Sequence, residues 1–350
     1  PEADMSGFSG TNELGSSAGY YRFYGSLGSS AATFDLGTGG ATMNNRNGNV
    51  TIQLGGLDGG LGTTLTGASA ISAPTLYSIG GNNNDAVFAG AITDGKGTTA
   101  ITKAGTGTWT VTGANTYSGG TMVSGGALVI NNAAGSGTGS GAVTVNGGAL
   151  AGDGSISGSV TVNAGGTLAP GNPMGVLAFS NDLTLASGSV TLVQAQHAPL
   201  ADSAVNVSGT LTEGGTLVLS NSNSSVFAAG DTFKLFNAGA YSGAFGGYNL
   251  PALPPGLAWN TSGLNESGTL SVVALTSPVI GSVKAVNGNL IVSGTGGSAG
   301  LSYEIEAATN LLDPRWISVA TNQFDASGNF AFTNAIDLDG PQSFYRLEAW

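Results

Sequence analysis

The chain has 350 residues, of which 61 are glycine, none is cysteine and only 8% are charged, with a net charge of −12. Disulfide scaffolds, thiol nucleophiles and iron–sulfur ligation are thereby excluded, and eight dispersed Lys and Arg cannot build the basic stripe a nucleic-acid binder needs. A hydrophobic fraction of 41% spread along the chain argues for a buried core rather than disorder, and glycine without triplet spacing excludes collagen.

Gly, Asn or Ser interrupts every apolar run well short of the roughly eighteen residues a spanning helix needs, so the chain is not expected to cross a membrane as a helix. It opens at Pro1 without a signal peptide, which reads as a processed or truncated form. Residues 1–30, with GYYRFYGSLG at 19–28, read as an N-terminal arm or a first rung. Two stretches that follow offer oxygen ligands: GGLDGGLG at 55–62 is faintly similar to a Ca²⁺-binding nonapeptide, and NNNDA at 82–86 is rich in Asn and Asp. DLDG at 337–340 is a third, without the closing Glu of a Ca²⁺ loop. Asx-rich corners are the simpler reading of all three, and no cofactor is assigned beyond a structural Ca²⁺ kept open as an alternative.

From residue 122 onward one phrase recurs: a β-alternating tripeptide, a polar turn, a small residue, then Leu. It stands as MVSGGAL at 122–128, VTVNGGAL at 143–150, VTVNAGGTL at 160–168 and LTEGGTLVL at 211–219, with a degenerate copy, LTLASGSVTLV, at 183–193. Leu128, Leu150, Leu168, Val190 and Leu217 align, spaced by about one turn of a β-solenoid. Val143-Thr144-Val145 and Val160-Thr161-Val162 alternate with period two, as half-buried strands do. Stacking also accounts for the missing charge: residues repeat about 4.8 Å apart along a solenoid, where like charges repel and Thr or Asn can bond in ladders.

Within residues 101–128, Ile101, Lys103, Gly105, Gly107, Trp109, Val111, Gly113, Asn115, Tyr117, Gly119, Thr121, Val123, Gly126 and Leu128 fall on one pattern. It resembles the autotransporter-associated β-strand repeat, also called the passenger-associated transport repeat. Trp109 stands where the family more usually has Leu. The wider resemblance runs over roughly residues 30–275 and implies a right-handed parallel β-helix, secretion or surface display, and an adhesive or scaffolding role without catalytic residues. Only about 75 residues follow position 275, too few for a membrane β-barrel of a dozen strands of roughly ten residues each. A barrel would lie outside this chain, or export would use another route.

The text changes near residue 250. Pro251, Pro254 and Pro255 break a strand ladder and Trp259 is placed to cover its end, so 250–277 reads as a final rung, cap and linker after a β-helix over 31–249. From 278 to 350 six short runs appear: VIGSVKAV, NLIVSG, LSYEIEAA, RWISVAT, GNFAFTN and SFYRLEAW. Their spacing predicts a small β-sandwich with Trp316 and Tyr345 as core aromatics, and YEIEAATNL, FDASGNFAFTN and FYRL resemble immunoglobulin-like or fibronectin-type modules. The expected fold is therefore all-β, a right-handed parallel β-helix followed by a small C-terminal β-sandwich.

Chemistry has few footholds. His197 is the single histidine, and a Ser-His-Asp arrangement would need Asp202 and a Ser beside it; a loop residue is the plainer reading. Asp153, Asp182, Asp202, Glu213 and Asp231 are spaced so that Asp182 and Asp202 would stack one rung apart, as a polysaccharide-degrading β-helix requires, but no Arg or second carboxylate completes a set. Trp109, Tyr117, Tyr20, Tyr21 and Tyr241 would serve a sugar-stacking platform, with packing between rungs the stronger reading of Trp109 and Tyr117. The residues expected to matter are structural: Trp109, Asn115, Tyr117, Gly119, Gly126, Leu128, Leu150, Leu168 and Leu217 in the repeat, with Pro254, Pro255 and Trp259 in the cap. The expected function is that of a non-enzymatic, adhesin-like or fibre-forming extracellular subunit whose partner is a second copy, met head to tail at solenoid ends. A carbohydrate-binding surface module and a β-helical polysaccharide-degrading enzyme are the alternatives.

Overall fold

Short runs of Val, Thr and Leu between Gly and Asn corners allow only short strands, and these stack in parallel. A computed structural model describes residues 4–15, 19–171, 174–312, 314–335 and 342–349. It is all-β: a parallel β-solenoid followed by small antiparallel sheets, with the single turn Leu264–Ser267 as the one helix among the described residues. The chain divides into two compact units, one of Pro1–Ala195, Ala201–Ser222 and Lys234–Pro251, the other of Gln196–Leu200, Asn223–Phe233 and Ala252–Trp350. The DLDG stretch at 337–340 falls outside the described residues.

In the first unit one wall is a 13-stranded sheet that starts at Thr11–Glu13 and continues through Gly28–Asp35, Val50–Asp58, Thr75–Ile79 and Thr99–Lys103. A second wall has nine strands, and a third has four, Tyr20–Phe23, Thr42–Asn45, Thr64–Ala68 and Ala91–Thr93. Residues 11–13 and 20–23 are thus paired rungs rather than a free arm. Inward positions form columns along the axis. Leu128 is in register with Leu150, and Leu150 with Leu168, all of them buried. Outward, Thr144, Thr161, Thr184 and Thr212 make a continuous threonine ladder, and Asn163 Nδ2 donates to Asn146 Oδ1 at 2.7 Å one rung away.

Two expectations about the stack need correction. The fourth column member is Thr191, which pairs with Leu168 on one side and Leu217 on the other, while Val190 sits half-buried. The phase is set by the preceding turn, closed by Ser189 N–H to the Ala186 carbonyl at 3.0 Å, which aims Ser189 and Thr191 inward whatever their polarity. The Thr191 hydroxyl is buried without a hydrogen-bond partner. Like charges also stack after all: Glu13, Asp35 and Asp58 occupy matching positions on three successive rungs. Backbone donors hold two of them, Gly37 N–H on Asp35 Oδ1 at 2.8 Å and Val87 N–H on Asp58 Oδ1 at 2.7 Å. Burial, with a smaller push from Asp35, still raises the Asp58 carboxyl above its ordinary value, against the lowering effect of the Val87 N–H.

The second unit contains all six expected C-terminal strands, in two three-stranded antiparallel sheets. Val279–Val286, Asn289–Thr295 and Phe330–Ala335 form one; Ile317–Gln323, Ser302–Ala308 and Phe344–Ala349 form the other. Val292, Leu301, Tyr303, Ile305, Phe324, Phe330 and Phe332 make their shared core. Tyr345 packs against it half-buried, but Trp316 lies outside it, with the Arg346 guanidinium 4.6 Å from its ring centroid. Trp316 leads into an edge strand that is exposed along most of its length, with Ala320 packing on the core.

Replacing Thr191 by Val removes an unpaired buried hydroxyl at nearly constant shape and is expected to stabilise the protein by about 1–2 kcal/mol in urea unfolding. Val190→Thr, on the half-buried face, is expected to change stability by no more than about 0.5 kcal/mol.

Candidate functional site

Several polar side chains of the turn spanning residues 101–130 bond to neighbouring rungs. Its strands Thr99–Lys103, Thr108–Val111, Thr121–Val123 and Ala127–Ile130 alternate inward and outward, and the corners between them carry Asn115, Tyr117, Gly119 and Gly126. Asn115 is buried and bonds both ways along the axis. Its Oδ1 accepts from Ile92 N–H at 2.7 Å in the preceding turn, and its Nδ2 donates to the Gly137 carbonyl at 2.6 Å in the following one. Its backbone N–H adds a bond to the Ser136 carbonyl at 2.7 Å. Tyr117, also buried, shares a 2.6 Å hydrogen bond between its Oη and Thr121 Oγ1.

Trp109 stands in register with Ala86 and Leu128. Its buried indole donates from Nε1 to the Leu57 carbonyl at 3.1 Å, past the small Ala86 side chain. A Leu at this position, the more usual residue of the repeat, has no such donor. Gly119 and Gly126 are fixed by close approach: a Cβ on Gly119 would lie 2.4 Å from the Thr99 carbonyl, and one on Gly126, whose φ is +60°, 2.3 Å from that of Gly107.

Two ionisable side chains named from the sequence, Lys103 in the repeat pattern and Glu213 among the spaced acids, are buried in the stack rather than solvated, a placement sequence reasoning missed. Ile79, Lys103, Val123, Val145, Val162 and Leu185 succeed one another in register along one wall. Lys103 is 1% exposed, and its Nζ donates to the carbonyls of Ala104 at 2.6 Å, Gly125 at 3.3 Å and Gly105 at 3.4 Å, tying two turns together. Burial pushes its ammonium below the usual lysine range, with Asp85 acting in the opposite sense. Further along the wall, Glu213 follows Leu211 and Thr212, the partners of Leu183 and Thr184, and is itself in register with Gly243. It is 5% exposed, its Oε1 has no hydrogen-bond partner, and burial pushes its carboxyl up to about 7. Strand alternation alone would have flagged both, since each sits two residues from an inward Ile or Leu.

The titratable residues singled out from sequence do not assemble a reactive centre. Asp182 and Asp202 are not stacked: Asp182 Oδ1 accepts from Thr210 N–H at 2.8 Å, whereas Asp202 lies in a short strand paired with Val190–Gln196, where burial lifts its carboxyl to about 6. In the second unit His197 meets Asp231 rather than Asp202, its Nδ1 lying 2.9 Å from both carboxylate oxygens. The same carboxylate accepts from Ala228 N–H at 2.9 Å, so the pair fastens one loop to another. Among the described residues no group of three or more His, Cys, Asp or Glu is placed to hold a metal ion. In the NNNDA stretch Asn83 Oδ1 and Asp85 Oδ1 accept from Thr106 N–H and Thr108 N–H, at 2.9 and 2.7 Å, across a corner.

The expected cap residues Pro254, Pro255 and Trp259 belong to the second unit. Pro254 and Pro255 enter a turn closed by Leu257 N–H to the Pro254 carbonyl at 3.2 Å. Trp259 sits within the second unit, its ring centroid 5.2 Å from Phe227 and 6.2 Å from Phe233. Of the aromatics considered for sugar stacking, Trp109 and Tyr117 are buried, Tyr21 packs on Phe23 and Phe34, Tyr241 is half-buried, and Tyr20 alone presents an open ring, 77% exposed.

The polar side chains of residues 101–130 thus join turn to turn along a parallel β-solenoid. Residues 101–130 match the family of the passenger-associated-transport-repeat, the stretch in which Trp109, Asn115, Tyr117, Gly119, Gly126 and Leu128 lie. No curated protein matches the chain. No helix among the described residues is long and apolar enough to cross a membrane.

The Glu213 shift makes stability depend on pH. The carboxyl ionises near its ordinary 4.5 when unfolded but only near 7 when folded, so the native state binds the extra proton in between. Stability is expected to fall as pH rises from about 4.5 to 7, by up to about 3 kcal/mol, and Glu213→Gln to remove most of that slope in denaturation curves recorded across the range. Asn115→Ala, which strips bonds from two neighbouring turns at once, is expected to cost about 2–4 kcal/mol by the same measurement.

Proposed function

We propose that the chain is a non-enzymatic structural subunit, secreted or displayed at a cell surface, that associates with further copies of itself through the end of its solenoid. The passenger-type repeat at 101–130 supports surface exposure. The observation that carries self-association is the pair of strands Thr11–Glu13 and Tyr20–Phe23, which end two walls of the stack and have a partner on one side only among the described residues. A strand left in that condition offers its unpaired N–H and C=O groups to the next chain. Contact of that kind between unlike ends extends into a filament where its rotation does not close a ring. A fibre-forming or adhesin-like role follows.

A second reading draws on Tyr20, Arg22 and Tyr24. They border a cavity of about 730 Å³ together with Met5, Asn12 and Tyr21, and Arg46 lies 5.2 Å from the Tyr24 ring centroid. An open tyrosine ring beside guanidinium groups suits a surface glycan, stacked on the ring and hydrogen-bonded at its edge.

Electron microscopy and sedimentation of the purified chain are expected to show end-to-end rods or filaments that shorten when Glu13 or Arg22 is replaced by Pro, which removes an edge N–H. A monodisperse monomer at high concentration would overturn self-association. Glycan-array binding that is lost in Tyr20→Ala while assembly persists would assign the second reading.

A further inference from the structure

The C-terminal sandwich lacks cover along one side, and the uncovered elements have complementary needs. In the strand Val279–Val286, Val283 is directly opposite Val292 and Ile280 opposite Gly294. Residues opposite one another in an antiparallel pair share a face. Val292 is in the core, and a Cβ on Gly294 would lie 2.5 Å from the Phe330 ring, so Ile280 and Val283 also turn toward the core side. Yet Ile280 is 50% and Val283 60% exposed, an unusual state for core-facing aliphatic residues.

The stagger of the two sheets explains it. Tyr303 Oη donates to the Ala331 carbonyl at 3.1 Å and its ring lies 5.6 Å from Phe330, which sets Ser302–Ala308 against Phe330–Ala335. Val279–Val286 and Ile317–Gln323 are both exposed along most of their length, with only Ala320 of the latter packing on the core among the described residues, so neither covers the other. The sheets are therefore offset, with Val279–Val286 projecting beyond Phe344–Ala349 on one side. Phe344–Ala349 pairs only with Ser302–Ala308 among the described residues, leaving a main-chain edge free below the projecting strand. A floor of aliphatic side chains beside an open row of N–H and C=O groups is the space of one β-strand.

Charge indicates what fills it. The outward face of Ser302–Ala308 and Phe344–Ala349 carries Glu304, Glu306, Arg346 and Glu348, with Glu304 directly opposite Glu348. Arg346 is committed to Glu306 at 2.6 Å and Glu348 at 3.2 Å, which leaves the row net negative. We propose that this cleft takes up an extended, basic segment of a partner protein, whose alternate apolar side chains cover Ile280 and Val283 while its Lys or Arg residues line up beside Glu348. Strand addition of this kind takes affinity from main-chain bonds and specificity from alternate side chains.

The test uses the full chain and the capped peptide TVKVKVT, with TVEVEVT and TVKPKVT as companions, measured by fluorescence anisotropy. The basic peptide is expected to bind, the acidic one about tenfold or more weakly, and the proline peptide not at all. Val283→Asp, a substitution at an exposed site that spares the fold, is expected to abolish binding, and Glu348→Lys to reverse the preference between the charged peptides. Equal binding of all three peptides, no binding, or binding indifferent to both substitutions would overturn the proposal. A concentration-dependent dimer abolished by Val283→Asp would overturn it too, by giving the cleft to a second copy. Neither result bears on filament growth from the solenoid end, which Val283→Asp leaves intact.

Discussion

The parallel register of each rung on the next is the constraint on which everything else in the first unit depends. Each strand is too short to be stable alone, and its backbone groups find partners only one turn above and below. Once the register is set, a residue's neighbours along the axis are fixed, and chemistry acts on columns rather than on single positions. The Leu128, Leu150 and Leu168 column and the threonine ladder show what a compatible column looks like. Thr191, Lys103 and Glu213 show that the register is strong enough to carry incompatible members, each placed inward by the phase of its strand.

How legible this is in the sequence follows from the same rule. The leucine column could be read directly, because the turns between its members keep one pattern. The reading slipped by one residue at Val190, where the buried Ser189 shifts the strand's phase in a way that hydrophobicity alone does not report. The stack of Glu13, Asp35 and Asp58 was invisible for a different reason: the low overall charge suggested that acids avoid one another, while backbone donors from Gly37 and Val87 stabilise two of these carboxylates locally. The pairing of His197 with Asp231 joins loops 34 residues apart, and no local pattern announces it.

The C-terminal strands were readable from strict alternation, as in Ser302-Tyr303-Glu304-Ile305-Glu306, and the inward set Tyr303 and Ile305 follows from it. Core membership failed where an aromatic stood at a sheet edge. Trp316 has the size of a core residue, but it enters a largely exposed edge strand at the margin of the overlap of the two sheets, and its ring meets Arg346 instead. Overlap is a tertiary quantity, and composition does not contain it.

Asn115 has a mechanical consequence. Ordinary rungs part when the row of backbone bonds on one side gives way, so a pull along the axis would peel the solenoid turn by turn. One side chain that grips Ile92 behind and Gly137 ahead transfers part of that load across its own turn, and Lys103 does the same between its own turn and Gly125. The segment that carries the repeat is therefore built as a reinforced link within a longer rod, where separation of turns has to break side-chain and main-chain bonds together.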